Sequence, residues 1–488
     1  MSRARSWLAG LPILWMVVAL SFAGAAEAQS KSMCLTFFDS TAKLHTRVEC
    51  VEALFSDPKL HFTFSSLPPG NGFALGGMFE DEADHVSSQG KLSSAGVKLA
   101  IVGSENQSWL ANGSFDFTPA LYRPDHDGAD DVCQRMGALC TKTQLSLHLQ
   151  AVHRSLQTIS FYGLGSRSPA IKHTFHENDT YGIVSANLPL TNHIAVEGGL
   201  ELLQPQLPAS TDALSVSQNF TDATAPGLTV QPTFVHSHVG ILTTAGALSN
   251  PRTDDSPLNH AGPLMKRNIR FTFNNGAEYA WYTAANDPGS SFQRLVVTGD
   301  ESVALGSNVR RYVTVADEGS GLARKLFYGV LHNACGDGHE KMTGPDSYVI
   351  KVTQQCNYGK LDLRTRLMTS RSGSGSTVPF YLQPTVGGAD IDSNVSLRGF
   401  PDYRFRDRHA VVEQAEYSVP ITDPVGLLLF YDAGTVGPAF SDLSFAHLRQ
   451  DGGLGVTFRL QGNVVAQAYM AWGAGHGPLL NYSFSKLF

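Results

Sequence analysis

Three side chains in the 488-residue sequence have the types and spacing to form one charged constellation: Arg398, Glu416 and Asp432. Leu397-Arg398-Gly399-Phe400 opens a polar, charged run that ends near Arg408. A strand-like segment follows at 409–420, and downstream lies Phe430-Tyr431-Asp432-Ala433-Gly434. Side chains alternate between the two faces of a strand. If Leu427, Leu429 and Tyr431 take one face, then Leu428, Phe430, Asp432 and Gly434 take the other. Likewise, if Val411, Ala415, Tyr417 and Val419 face one way, Gln414, Glu416 and Ser418 face the opposite way. Two carboxylates on neighbouring strands then share a space and call for a cation. A loop bringing in Arg398 could supply it, because a planar guanidinium can donate to a carboxylate on each strand. An arginine in open solvent is the alternative, and parity alone does not choose between them.

The elements that must position these residues are strands. Leu147, Leu149 and Ala151 interleave with His148 and Gln150. Ile269, Phe271 and Phe273 interleave with Arg270, Thr272 and Asn274, ahead of the turn-type dipeptide Asn275-Gly276. Leu361, Leu363 and Leu367 alternate with Asp362, Arg364 and Arg366; Leu454, Val456, Phe458 and Leu460 alternate with Gly455, Thr457 and Arg459. A soluble antiparallel sheet with one wet face shows the same pattern in any single strand. Number favours a closed wall: from about Gly72 to Phe488 there are on the order of 16 such segments, as in even-stranded outer-membrane barrels. Closure is needed because hydrocarbon cannot satisfy the backbone of an open edge. At ~10 residues per tilted strand the wall takes roughly 160 residues and leaves about 300 for turns and loops. Long loops are therefore expected, at 119–142, 251–266, 335–356, and 370–377 leading on to 386–407. In the last segment Leu480, Tyr482, Phe484 and Phe488 share one face, opposite Asn481, Ser483 and Ser485; Lys486 interrupts the oily face, where its stem can lie in lipid with the ammonium in water.

Composition agrees with such a wall. Hydrophobic residues make up 42% of the chain, charged residues only 16%, and 47 Gly add turns without charge. The charged share lies below the roughly 25% of soluble domains. A net charge of −7 offers no basic field for a phosphate backbone, so nucleic acid is excluded as a partner. Arg3 and Arg5 precede an apolar stretch ending near Phe22, and Ala26-Glu27-Ala28 has the small-x-small form of a cleavage site, so 1–28 reads as a secretory signal peptide. The six cysteines form three sequence-local pairs, Cys34 with Cys50, Cys133 with Cys140 and Cys335 with Cys356. In an exported chain they are disulfide candidates, local pairing being one of 15 schemes.

From about Ser396 to Phe488 the chain resembles the bacterial surface antigen and outer-membrane assembly-factor superfamily, which includes two-partner-secretion transporter barrels. Leu397 to Phe400 is similar to its Arg-Gly-aromatic loop motif, and Phe430 to Gly434 to its Phe-x-Asp-x-Gly strand motif. Glu416 sits where the family has an inward acidic residue, and Tyr482, Phe484 and Phe488 fall in a segment similar to its closing strand. A weaker likeness at Phe161-Tyr162-Gly163-Leu164-Gly165 extends towards residue 70. The resemblance implies an all-β, transmembrane antiparallel barrel of about 16 strands at 68–488, with the Arg398 loop folded into the lumen as a latch. Family members that assemble or secrete proteins carry POTRA modules, and the short periplasmic segment expected at 29–67 has no room for one.

No other site rises to chemistry. His236 and His238 share a strand face but have no acidic or cysteine ligand nearby in sequence, so lumenal histidines are expected rather than a metal site. The run from Asp125 to Asp131 lacks the order of a calcium loop. Neither a nucleophile elbow nor a phosphate loop is present, so no catalytic residue, metal or cofactor is expected. The expected function is a non-enzymatic conduit in the cell outer membrane that inserts or translocates polypeptide or lipid-linked cargo. The alternative is a passive pore or structural anchor. The implied partners are outer-membrane lipid and lipopolysaccharide, with a protein client, a separately encoded periplasmic partner or a second copy of the chain left open.

Overall fold

The computed structural model describes residues 59–86, 92–119, 145–191, 193–249, 266–314, 335–336, 349–422, 425–444, 448–460, 463–473 and 477–484. The alternating segments form strands β1 (Leu60–Ser66), β2 (Phe73–Val86), β3 (Leu92–Ser104), β4 (Trp109–Thr118), β5 (Ser146–Phe161), β6 (His173–Pro189), β7 (Ile194–Gln206), β8 (Phe234–Ser249), β9 (Lys266–Ala284) and β10 (Phe292–Thr314). They continue with β11 (Cys335–Gly336), β12 (Val349–Ser372), β13 (Thr385–Val386), β14 (Phe405–Arg406), β15 (His409–Thr422), β16 (Val425–Gly437), β17 (Arg449–Leu460), β18 (Asn463–Gly473) and β19 (Leu479–Phe484). Three of these are two residues long, and sixteen have six residues or more. The sixteen pair antiparallel in chain order from β1 to β19, with β10 meeting β12 and β12 meeting β15.

The two faces of this sheet differ sharply. On β16, Val425, Leu427, Leu429 and Tyr431 are exposed while Leu428, Phe430 and Asp432 are buried; on β17, Leu454, Val456 and Phe458 are exposed while Thr457 is buried. Leu200 and Leu202 on β7, Phe273 and Trp281 on β9, and Leu480 and Tyr482 on β19 continue the exposed apolar face. Glu301, whose cross-strand partners are the exposed Phe273 and Leu363, interrupts it. So does Glu413, which accepts a hydrogen bond from Thr365 Oγ1 at 2.7 Å.

The inner face surrounds the segment 373–408, within which β13 and β14 pair as a small ribbon. Phe380 and Tyr381 of this segment pack with Leu156, Ile159 and Phe161 of β5 and Phe175 of β6. Val386, Leu397, Phe400 and Phe405 pack with Met368 of β12, Ala410 and Val412 of β15 and Val436 of β16. Val378 joins Leu203, Phe234, Ala284 and Phe292 of β7–β10. Strands far apart in a sheet can all touch one segment only if the sheet wraps around it, so the wall is a barrel with this loop inside its lumen. A register shift in β5 between Leu156 and Ile159 lets both residues face inward although they are three apart, and so delivers Phe161 to the lumenal cluster.

Three expectations change. Asn275-Gly276 is not a turn: it lies inside β9, opposite Gly299 and Thr298 on one side and Thr243 and Leu242 on the other. Alternation keeps its parity through the dipeptide, so pairing on both flanks overrides the local turn preference. Among the described residues the wall already includes Leu60–Ser66, inside the stretch assigned to a periplasmic leader at 29–67. The span 335–356 is not all loop, since Cys356 lies within β12 directly opposite Cys335. The expected signal peptide at 1–28, Cys34, Cys50, Cys133, Cys140, the run from Asp125 to Asp131, and Phe488 lie outside the described residues, as do 120–142 and 251–265 of the expected loops.

Candidate functional site

Arg398 sits on the lumenal loop and reaches β16. Its Nε donates to Asp432 Oδ2 and its Nη2 to Asp432 Oδ1, both at 2.8 Å, so the carboxylate is gripped by two parallel bonds. The Arg398 backbone N–H donates to Asp432 Oδ2 at 3.2 Å, and Nη1 donates to Glu416 Oε2 at 2.5 Å. Asp432 is fully buried, Arg398 is 6% exposed, and the Glu416 side chain keeps 29% of its surface. Gln414 Nε2 completes the frame by donating to Asp432 Oδ1 at 3.2 Å and to the Ser396 carbonyl at 2.8 Å.

The neighbouring motif residues have separate tasks. Phe430 lies two positions before Asp432 on the same inner face, and its ring centroid is 3.6 Å from Arg398 Cζ, an attractive face-on cation–π contact. Tyr469 on β18 flanks the same guanidinium at 5.8 Å. Gly434 lets the loop ribbon approach: a Cβ there would meet the Val411 carbonyl at 2.9 Å and Val386 Cγ1 at 3.2 Å. Gly399 does the same against the far strands, where a Cβ would fall 2.7 Å from both Asp451 Cβ and Gly473 N. Leu397 and Phe400 are buried anchors on either side of the arginine and its glycine. Asn481 of β19 donates to the Arg398 carbonyl at 3.3 Å, so the last strand also touches the loop. Tyr482 faces outward, and the side chain of Phe484 lies outside the described residues.

A second set of contacts holds the loop to the opposite wall. Arg404 donates from Nη1 to Ser168 Oγ and from Nη2 to the Ser168 carbonyl, both at 2.9 Å, and Gly165 N–H donates to the Arg406 carbonyl at 2.8 Å. Arg154 of β5 pairs with Asp179 of β6 at 2.7 Å and lies 3.6 Å from Asp392 of the loop; back on the side of the Arg398 clasp, Arg366 of β12, the strand beside β15, lies 3.6 Å from Asp390. Burial in the lumen raises the pKa of the Asp390 carboxyl above its ordinary value, with Asp392 adding to the rise. The anchors of Arg404 and Arg406 had no sequence signal, since their partners Ser168 and Gly165 lie more than two hundred residues away.

His236 and His238 both line the lumen beside β7, and His236 Nδ1 lies 2.8 Å from Glu201 Oε2, an acidic neighbour that the local sequence does not show. Asp451 of β17 is the other group sequence reasoning missed. It lies opposite Asp432 and is 4% exposed. Among the described residues, no cluster of three or more His, Cys, Asp or Glu is arranged to hold a metal ion.

No family model matches the chain, and no curated protein matches it. Among solved structures the chain is similar to BamA from Haemophilus ducreyi lacking POTRA domains 1–3, at 12% identity over 87% of this chain and 70% of that chain, with a TM-score of 0.45. It is also similar to CdiB from Acinetobacter baumannii, at 10% identity over 85% of this chain and 55% of that chain, with a TM-score of 0.40.

Proposed function

We propose that the chain is an outer-membrane β-barrel conduit, closed in this state by its own lumenal loop, that inserts or translocates polypeptide or lipid-linked cargo without catalysing a reaction. The observation that carries this reading is the loop fixed across the lumen, with Arg398 clasped by Asp432 and Glu416 on one wall and Arg404 and Arg406 seated on the other. A barrel serving only as a membrane anchor gains nothing from a removable segment pinned by charge. Placement in a bilayer is supported by the exposed face, where leucine, valine, phenylalanine and tyrosine succeed one another along neighbouring strands. Export through the segment 1–28 and closure of the cysteine pairs in an oxidising compartment belong to the same reading.

Conductance of the purified protein in planar bilayers tests it. The wild-type channel should be mostly closed, and Arg398→Ala should produce larger, fluctuating openings. A steady, porin-like current unchanged by Arg398→Ala would refute the gated conduit and leave a passive pore.

A further inference from the structure

The turn at 67–72, which joins β1 to β2, reaches over the β3–β4 turn to a place where the ladder of β5 is interrupted. Between Leu156 and Ile159 the pairing of β5 with β6 skips Gln157 and Thr158, so their backbone groups need partners from elsewhere. Asn71, fully buried, accepts from the Thr158 N–H at 3.0 Å through Oδ1 and donates from Nδ2 to the Thr158 carbonyl at 2.9 Å. Ser108 Oγ accepts from the Gln157 N–H at 3.0 Å and donates to Asn71 Oδ1 at 2.8 Å. Asn71 Nδ2 also donates to the carbonyls of Pro68 and Pro69 at 3.1 and 3.3 Å, which ties the amide to its own turn. Gly70 permits the approach: its φ is +88°, and a Cβ there would fall 2.7 Å from the Thr158 carbonyl oxygen.

The extra residue in β5 decides which of its side chains line the lumen. With it, Ile159 and Phe161 follow Leu156 to the inside, where the ring centroid of Phe161 lies 4.9 Å from that of Phe380 on the loop. Without it, Gln157 would pair with His176, Thr158 and Ser160 would point inward, and Ile159 and Phe161 would point out. That regular register follows the usual polar-in, apolar-out alternation of a barrel strand, so it is a real competitor.

We infer that Asn71, together with Ser108, is the positioning residue that selects the bulged register of β5 and thereby presents Ile159 and Phe161 to the lumenal loop. Two packings of one segment, a single register step apart, make a bistable element, and the clip sets which one is occupied. Withdrawal of the 67–72 turn strands the backbone of Gln157 and Thr158. The strand then recovers its ladder by slipping to the regular register, which takes Phe161 away from Phe380. A displacement of the β1–β2 hairpin is in this way transmitted to the far grip on the loop. The choice of register stands on these contacts alone, and only its meaning for opening rests on the conduit reading.

The experiment is a double-mutant cycle on the full chain in lipid vesicles, read by denaturant unfolding. In the wild type, Phe161→Leu and Phe380→Leu should be coupled by about 2- to 10-fold in the unfolding equilibrium constant, as for other packed ring pairs. In an Asn71→Ala background the coupling should vanish. Deleting Gln157 from that background should restore it, because Ile159 and Phe161 then face inward in a regular strand. An asparagine that merely stabilises its turn predicts lower stability with the coupling unchanged and no rescue by a shortened strand. Coupling that survives Asn71→Ala, or that deletion of Gln157 does not restore, overturns the inference. If Asn71→Ala does not fold, deletion of Gln157 should restore folding, and a chain that still fails to fold overturns it equally. The cycle needs no transport, so a failed conductance test leaves the inference standing and a failed cycle leaves the conduit standing.

Discussion

Arg398 should be coupled much more strongly to Asp432 than to Glu416, although both are its ion-pair partners. The perturbation is a double-mutant cycle built from Arg398→Ala, Asp432→Asn and Glu416→Gln. Asp432 is fully buried and receives two parallel 2.8 Å bonds, so Arg398→Ala strands a desolvated carboxylate. Breaking a buried pair in this way costs roughly 3–5 kcal/mol. Loss of the cation held 3.6 Å from the Phe430 ring adds to that, on the order of 1–2 kcal/mol when the contact is dry. Glu416 keeps 29% of its side-chain surface and receives a single bond. Water can replace its partner, and its coupling should stay at or below about 1 kcal/mol, as for other solvated pairs. Denaturant unfolding of the barrel from lipid vesicles, followed by the mobility of unheated samples on gels, gives the free energies. The interaction term for Arg398 with Asp432 should exceed that with Glu416 by about 2 kcal/mol or more. Equal coupling to the two acids, or simple additivity with Asp432, would refute the geometric argument.

Three other substitutions probe separate parts of the structure. Gly434→Ala should destabilise the barrel by about 1–3 kcal/mol, because its Cβ would press on the Val411 carbonyl and Val386; an unchanged denaturation midpoint would contradict the close approach of the ribbon. Glu301→Leu should stabilise the protein in bilayers, by on the order of 1–2 kcal/mol, since it removes a carboxylate flanked by the exposed Phe273 and Leu363; a loss of stability would place that stretch of wall outside the hydrocarbon. Cys335 and Cys356 are register partners on β11 and β12 and should form a disulfide that shifts gel mobility on reduction. Replacing both by serine should cost roughly 3 kcal/mol if the bridge closes a loop of that length, and identical mobility with and without reductant would exclude the bond.

Strand parity carried most of what was legible. The alternation of Leu427, Leu429 and Tyr431 with Leu428, Phe430 and Asp432 is a local property, and the structure keeps it because one face must pack against the loop while the other stays apolar. The same rule applied to β17 would have put Asp451 on the inner face with Gly453 and Gly455. Asp451-Gly452-Gly453 looks instead like turn chemistry, which hid the strand start. Asn275-Gly276 misled in the same way: turn propensity is a local preference, and two flanking ladders outweigh it. The bulge between Leu156 and Ile159 could not be read at all, because one irregular step inverts parity without changing composition. Least legible were the Arg404 and Arg406 anchors, whose partners depend on how far the sheet curves before it meets its own loop.

The two grips on the loop differ in chemistry, and that difference constrains how a conduit of this kind opens. The grip on β5 and β6 is built mainly from the Phe161, Phe175 and Phe380 rings and from bonds to backbone carbonyls, which do not respond to a single protonation, with one ion pair added where Arg154 lies 3.6 Å from the exposed Asp392. The grip on β15 and β16 is ionic but enclosed, so salt, which screens exposed charges over about 8 Å at physiological strength, should act on it only weakly. Complete expulsion of the loop must break both. Displacement at Arg398 alone leaves the far anchor as a hinge and frees the side of the barrel nearest β17, β18 and β19. The last strand feels such a movement through the hydrogen bond from Asn481 Nδ2 to the Arg398 carbonyl. Asn481→Ala removes that bond and leaves the guanidinium pairs in place. If opening begins at Arg398 and spreads to β19, this variant should keep wild-type stability within about 1 kcal/mol yet change the lifetime of single-channel openings. Unchanged lifetimes would mean that the last strand moves independently of the loop.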